Sequence, residues 1–95
     1  MKGYVVCVYK SISDEKKLKE YAIKAQIAVE KYNGKILIRG GKKTTNEGEE
    51  SPRTVVIQFS SYETAKIFYN SNEYQDAHSI LKVSVIRHHQ IIEGV

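Results

Sequence analysis

Ninety-five residues suffice for one domain, here residues 1–95, and leave no room for a second. A hydrophobic content of 41% beside 27% charged residues is ordinary for a globular chain, and a lone cysteine, Cys7, excludes an intrachain disulfide or a multi-cysteine zinc site. The formal charge of +4 is uneven: residues 1–45 hold 11 Lys/Arg against 4 Asp/Glu, and residues 46–95 hold 4 against 7. The surplus sits mainly in the lysines between Lys16 and Lys31, which read as the solvated side of a helix rather than a nucleic-acid patch.

The first nine residues carry too short an apolar run for a secretory signal, and no stretch is long enough to span a bilayer. A reducing cytoplasmic location is therefore expected, with Cys7 acting as a small buried hydrophobe.

Taken in chain order, Gly3–Tyr9 is β-branched and aromatic and reads as a first strand. Ser13 is placed to cap a helix starting at Asp14, with Asp14 and Glu15 against its positive end. Leu18, Tyr21, Ala22, Ala25, Val29 and Tyr32 then recur at helical spacing, and Asn33-Gly34 supplies the stop. Lys35–Arg39 reads as a second strand closed by Gly40-Gly41, and Lys42–Pro52 as a polar loop. Arg53–Phe59 is a third strand. Ser60 and Glu63 have capping-box spacing for a second helix, whose apolar surface comes from Ala65, Ile67, Phe68 and Tyr69. Ser71 or Asn72 starts a short third helix running to about Leu81, and Val83–Ile92 is the last strand. The order is β-α-β-β-α-(α)-β, a split βαβ arrangement.

The first strand carries an expectation about assembly. Tyr4, Val6 and Val8 point one way, Val5, Cys7 and Tyr9 the other, and both sets are apolar. Helices on one side of such a sheet cover one face. At about 25 cal/mol per Å², leaving the other bare forfeits several kcal/mol, comparable to the stability of a small domain. A second copy of the same sheet is the simplest cover, so a homodimer is expected.

The run Asn33-Gly34-Lys35 leading into Arg39-Gly40-Gly41, then Pro52-Arg53 before Val55-Val56, is followed by Phe59, Ala65, Phe68-Tyr69, Ser71, Glu73-Tyr74-Gln75 and Glu93-Gly94. In order and spacing, nearly end to end, these landmarks resemble the domain-of-unknown-function family numbered 1330. The resemblance implies an α+β, ferredoxin-like βαββαβ protomer with an antiparallel sheet and helices on one face, paired with its twin as a dimeric α+β barrel. It supplies no activity: that superfamily includes cofactor-free monooxygenases, lactone isomerases and haem-dependent peroxidases. Three positions depart from the family's pattern. Gln58 stands where a Glu often precedes the strand-ending Phe, Glu49-Glu50-Ser51 replaces an aromatic approach to Pro52, and Lys82 is the nearest cation after the Tyr-Gln helix, where an Arg is frequent.

Strand parity sorts the candidate site residues. With Ile36 and Ile38 on one face of strand two, Leu37 and Arg39 fall opposite. Thr54, Val56 and Gln58 share a face of strand three, and Ser84, Ile86, His88 and Gln90 share a face of strand four. If these sets line one barrel interior, Arg39, Gln58 and His88 converge in an apolar cavity, the usual form of a small-molecule site. There Arg39 would pair with a carboxylate and His88 would be the catalytic acid or base. Arg53, Tyr74 and Ser71 complete the ligand-binding candidates, with capping of the short helix as the alternative role for Ser71 and Tyr74. His78, His88 and His89 show no ligand spacing, so neither a metal nor another cofactor is expected. The expected function is binding of a small, anionic organic molecule by a homodimer, extending to metal-free catalysis. The alternatives are a non-enzymatic interaction dimer and, more distantly, an RNA-binding module, whose Gly-aromatic signature strand three lacks.

Overall fold

The computed structural model describes all 95 residues, Met1–Val95. Its elements are β1 (Gly3–Ile12), α1 (Glu15–Lys31), β2 (Lys35–Arg39), β3 (Thr54–Phe59), α2 (Tyr62–Asn70), α3 (Asn72–Leu81) and β4 (Val85–Glu93). The strands form one antiparallel sheet in the order β2-β3-β1-β4, so each helical crossover skips a strand, as in a ferredoxin-like fold. No helix is long and apolar enough to cross a membrane.

Local chemistry sets the helix ends, one residue later than expected for two of them. Asp14, rather than Ser13, caps α1 by accepting from the Lys17 N–H at 3.1 Å. Ser13 is diverted to the residue before β4, where its amide and hydroxyl both donate to the Ser84 carbonyl. Likewise Ser61, not Ser60, caps α2 by accepting from the Thr64 N–H at 3.0 Å. Ser71 caps α3, as expected, through the Tyr74 N–H, while its own hydroxyl donates to the last turn of α2 at Phe68. One serine thus closes one helix and opens the next. At the end of α1, Asn33 takes a left-handed φ of 56°, and Gly34 lets the chain pass the Phe59 ring, which an added Cβ would approach to 2.7 Å.

The faces of β1 divide as alternation dictates. Val5, Cys7 and Tyr9 are buried beneath the helices with Ile57 and Phe59 of β3. Tyr4, Val6 and Val8 lie on the opposite, open face. From α1 the core receives Leu18, Tyr21, Ala25, Ala28 and Val29; from the second crossover, Ala65, Phe68, Tyr74, Ala77 and Leu81. Ile67 stays on the solvent side of α2. Phe68, fully buried, has the Phe59 and Tyr74 rings each at 4.8 Å.

Two bulges change which side chains face the helices. Between β1 and β4 the register shifts at Lys10, so that Ile12 and Val85 pair and both pack against the core. Between β2 and β3 it shifts at Leu37: Ile36 pairs with Ile57, but Ile38 pairs with Val56 and Arg39 with Val55. The extra residue turns Arg39 to the helix side, the face reached by Val55 and Ile57.

The Phe68 cluster carries the packing on which the second crossover rests. Phe68→Ala is expected to lower unfolding free energy by about 3–5 kcal/mol, measured by urea denaturation, whereas Ile67→Ala is expected to change it by less than about 0.5 kcal/mol.

Candidate functional site

The helices do not close fully on the sheet. A cavity of about 50 Å³ remains between α1, α3 and the sheet's buried face, room for roughly three to five water molecules. Val5, Val29, Val55, Ile57 and Phe68 make most of its wall, and polar groups gather toward one end.

Two adjacent rows across the sheet supply those polar groups. In the first, the Tyr9 N–H donates to the Arg53 carbonyl, and Tyr9 pairs with Arg87 on its other side. In the second, Arg39 pairs with Val55, Val55 with Cys7, and Cys7 with His89. The cavity-lining side chains of these rows therefore bring three arginines, a histidine, a phenol and a thiol to one region.

Arg87 is the centre. Its Nη1 donates to the Tyr9 hydroxyl at 3.0 Å and the Tyr21 hydroxyl at 3.3 Å, and its Nη2 donates to the Tyr74 hydroxyl at 2.9 Å. Tyr21 and Tyr74 also share a hydrogen bond at 2.9 Å. That bond uses one phenolic proton. The Tyr9 hydroxyl also lies against the Cys7 thiol, so three phenols surround the guanidinium. The guanidinium also lies over the Tyr9 and Tyr21 rings, at 5.4 and 5.2 Å.

Burial keeps the surrounding groups neutral. It raises the Tyr74 and Tyr9 phenols above their ordinary range and raises the Cys7 thiol in spite of the opposing pull of Arg87. For His89, burial and then the positive field of Arg87 depress the pKa from its ordinary 6.5 to about 4. The imidazole is neutral at pH 7 and lies beside the Tyr69 and Tyr74 rings, at 5.0 and 6.3 Å.

No acidic side chain offsets the arginines. All three arginines of the chain line the cavity, none of its twelve lysines does, and neither Asp nor Glu is among the lining residues. Glu49 and Glu50 border a neighbouring groove that touches Arg87, yet both ion pairs in the structure are made by lysines, Lys31–Glu73 and Lys43–Glu50. Arg53 stacks over the Tyr9 ring at 5.9 Å with its Nε buried and unbonded, and Arg39 donates to Gln26 of α1 at 3.0 Å. No three His, Cys, Asp or Glu side chains come together as a metal-binding group.

The site is thus not assembled as parity alone suggested. Gln58 and His88 occupy the open face of the sheet, and Gln58 there accepts from the Tyr4 hydroxyl. Arg39 is separated from them by the sheet, because the Leu37 bulge rotates it to the helix side. Arg39, Arg53 and Tyr74 do converge on the cavity; Ser71 holds the α3 cap that positions Tyr74. Arg87, Tyr9, Tyr21 and His89 went unrecognised. The available signal was Arg87 and His89 standing between Val85 and Ile91 on one side of β4, the side that packs on the core.

No curated protein sequence matches this chain. Among solved structures, a protein of unknown function from Rhodopseudomonas palustris superposes with a TM-score of 0.79 at 10% identity, covering 99% of this chain and 82% of that one. A dimeric ferredoxin-like protein of unknown function from Jannaschia sp. CCS1 gives 0.70 at 11% identity, covering 99% and 100%. A Caulobacter crescentus protein provisionally assigned as an antibiotic biosynthesis monooxygenase gives 0.65 at 11% identity, covering 99% and 89%. At such identities the likeness establishes the ferredoxin-like fold and leaves chemistry to the side chains. The family profile described as Domain of unknown function (DUF1330) matches residues 2–95, and the chain belongs to that family.

Proposed function

We propose that this protein binds a small organic anion in the cavity between its sheet and its helices, and does so as a homodimer. The observation that carries the ligand class is the set of three arginines lining an apolar cavity without a carboxylate. Part-buried cations left unpaired lower folding stability, and such a cost is kept where a ligand supplies the missing charge. Arg87, with the hydroxyls of Tyr9, Tyr21 and Tyr74 around it, offers a positive charge and nearby phenol donors to one carboxylate or enolate. In this reading His88, on the open face, has no part in the site, and His89, whose neutral ring borders the same cavity, serves as an uncharged hydrogen-bonding group toward the ligand. Cys7 stays a buried thiol, in keeping with a reducing, cytoplasmic setting.

The open face of the sheet supports the dimer. It exposes Val8, Ile38, Ile86 and Ile92, all more than a third accessible, around Val6 and Val56. Tyr4 is its one phenol ring, a poor platform for stacking bases and a better one for a second sheet. Ligand cavity and dimer face lie on opposite sides of the same strands, so each is testable without the other.

A thermal-shift titration with small carboxylates tests the ligand class. At ten times Kd a ligand adds about 1.4 kcal/mol, or roughly 6–11 °C in Tm for a domain of this size. Arg87→Met is expected to abolish the shift, with its unliganded melt read first to check that it folds. An interaction-only dimer predicts no shift in either protein.

Dimerisation is read by sedimentation: Val6→Lys, at the middle of the open face, is expected to convert a two-chain mass to a one-chain mass. A wild-type monomer would end that part of the proposal.

His89 gives a pH signature. Its folded pKa lies below its unfolded one, so the unfolded state binds the extra proton between about 6.5 and about 4. Stability is therefore full above pH 6.5 and falls as pH drops toward 4, by up to about 3 kcal/mol. His78, depressed by burial and by Arg87, adds in the same direction. His89→Gln is expected to flatten most of the decline in Tm across that window.

A further inference from the structure

Resting on the reading that the cavity holds organic anions, we infer that its ligand is two-headed: a short diacid, one acidic group on Arg87 and the other on Arg53 with Arg39. The arginines form two stations rather than one. Arg87 is on edge strand β4, gripped by three phenols, whereas Arg39 ends the opposite edge strand β2 and Arg53 enters β3 beside it. The turn at Gly40 keeps the second pair together: a Cβ added there would lie 3.8 Å from Arg53 Nη1.

The span between stations is limited. Both the Arg53 and the Arg87 guanidinium lie over the one Tyr9 ring, at 5.9 and 5.4 Å, so their separation cannot exceed the sum of these distances. Neither guanidinium has an acid among the lining residues to offset its charge. A single carboxylate on Arg87 leaves the second station uncompensated, and the buried Arg53 Nε still lacks an acceptor. A second carboxylate supplies both. The wall between the stations is aliphatic and aromatic, suited to a short hydrocarbon spacer. Volume favours the shortest spacers: the enclosed space is about 50 Å³, so the second carboxylate lies toward the exposed Arg39 end of the cavity.

Titration calorimetry at pH 7.5 with malonate, succinate and glutarate, each beside the monoacid of the same carbon number, tests this directly. One diacid is expected to bind at least about tenfold more tightly than its monoacid, the effect of one added charge-assisted pair. Arg53→Gln is expected to bring that ratio near one, and Arg53→Lys, which keeps the charge without the fork, to hold an intermediate value. Unliganded melting confirms that each variant folds. If Arg53→Gln does not fold, Arg39→Gln is expected to lower the same ratio. Monoacids binding as tightly as diacids would overturn the two-headed ligand and leave the anion reading standing. Binding of neither class would overturn both.

Discussion

One guanidinium joins the layers of this protein. Arg87 extends from β4 to hydroxyls borne by β1, α1 and α3, and Tyr21 and Tyr74 are further joined by their own hydrogen bond. The rigid, planar fork of arginine suits this task, since one side chain addresses three oxygens whose directions are fixed by three separate elements. Because every partner is neutral, the cluster ties the fold together without cancelling the charge at its centre. The helices are held at a distance from the sheet set by phenols and a guanidinium, not by aliphatic contact alone, and a cavity persists where a small domain would otherwise fill its core.

Around that cluster the two crossovers divide the work. The Phe59–Phe68–Tyr74 stack packs the second crossover densely on β1 and β3. Beneath α1 the core narrows to Ala25, Ala28 and Val29, short side chains that leave space above Val5 and Ile57. The sheet is correspondingly two-sided: its helix face holds a charged cavity, and its open face holds apolar residues in search of a cover. The fold is shared among proteins of quite different names, so the side chains of the cavity, and not the superposition, bear on chemistry. The division of cations makes the same point. Lysines take the solvated surface, with Lys31 bridging to Glu73 of α3, whereas Arg53 and Arg87 are half-buried against the cavity and Arg39 stands at its exposed rim.

Much of this was legible in the residues themselves. The order of strands and helices follows from periodicity and punctuation, and the alternation of Tyr4, Val6 and Val8 with Val5, Cys7 and Tyr9 assigned both faces of β1 correctly. Ser71 as a cap, Asn33-Gly34 as a stop, and Arg39, Arg53 and Tyr74 as residues to inspect were all visible. These are local properties: a helical stripe, an alternating strand and a capping hydroxyl are decided within a few residues of chain.

The tertiary structure decided what depends on register and on distant partners. A bulge at Leu37 adds one residue, and period-two alternation turns that residue into a change of face for Arg39. Ser13 is not the cap because its amide and hydroxyl are tied to the Ser84 carbonyl, 71 positions away, and the helix begins one residue later at Asp14. Arg87 and His89 read as ordinary strand residues until Tyr9, Tyr21 and Tyr74 arrive from three other elements, and the meaning of a buried charge lies in who surrounds it. Sequence determines the pieces because their energetics are local; the site exists only where non-local pairing brings uncompensated charge and unfilled volume to the same place.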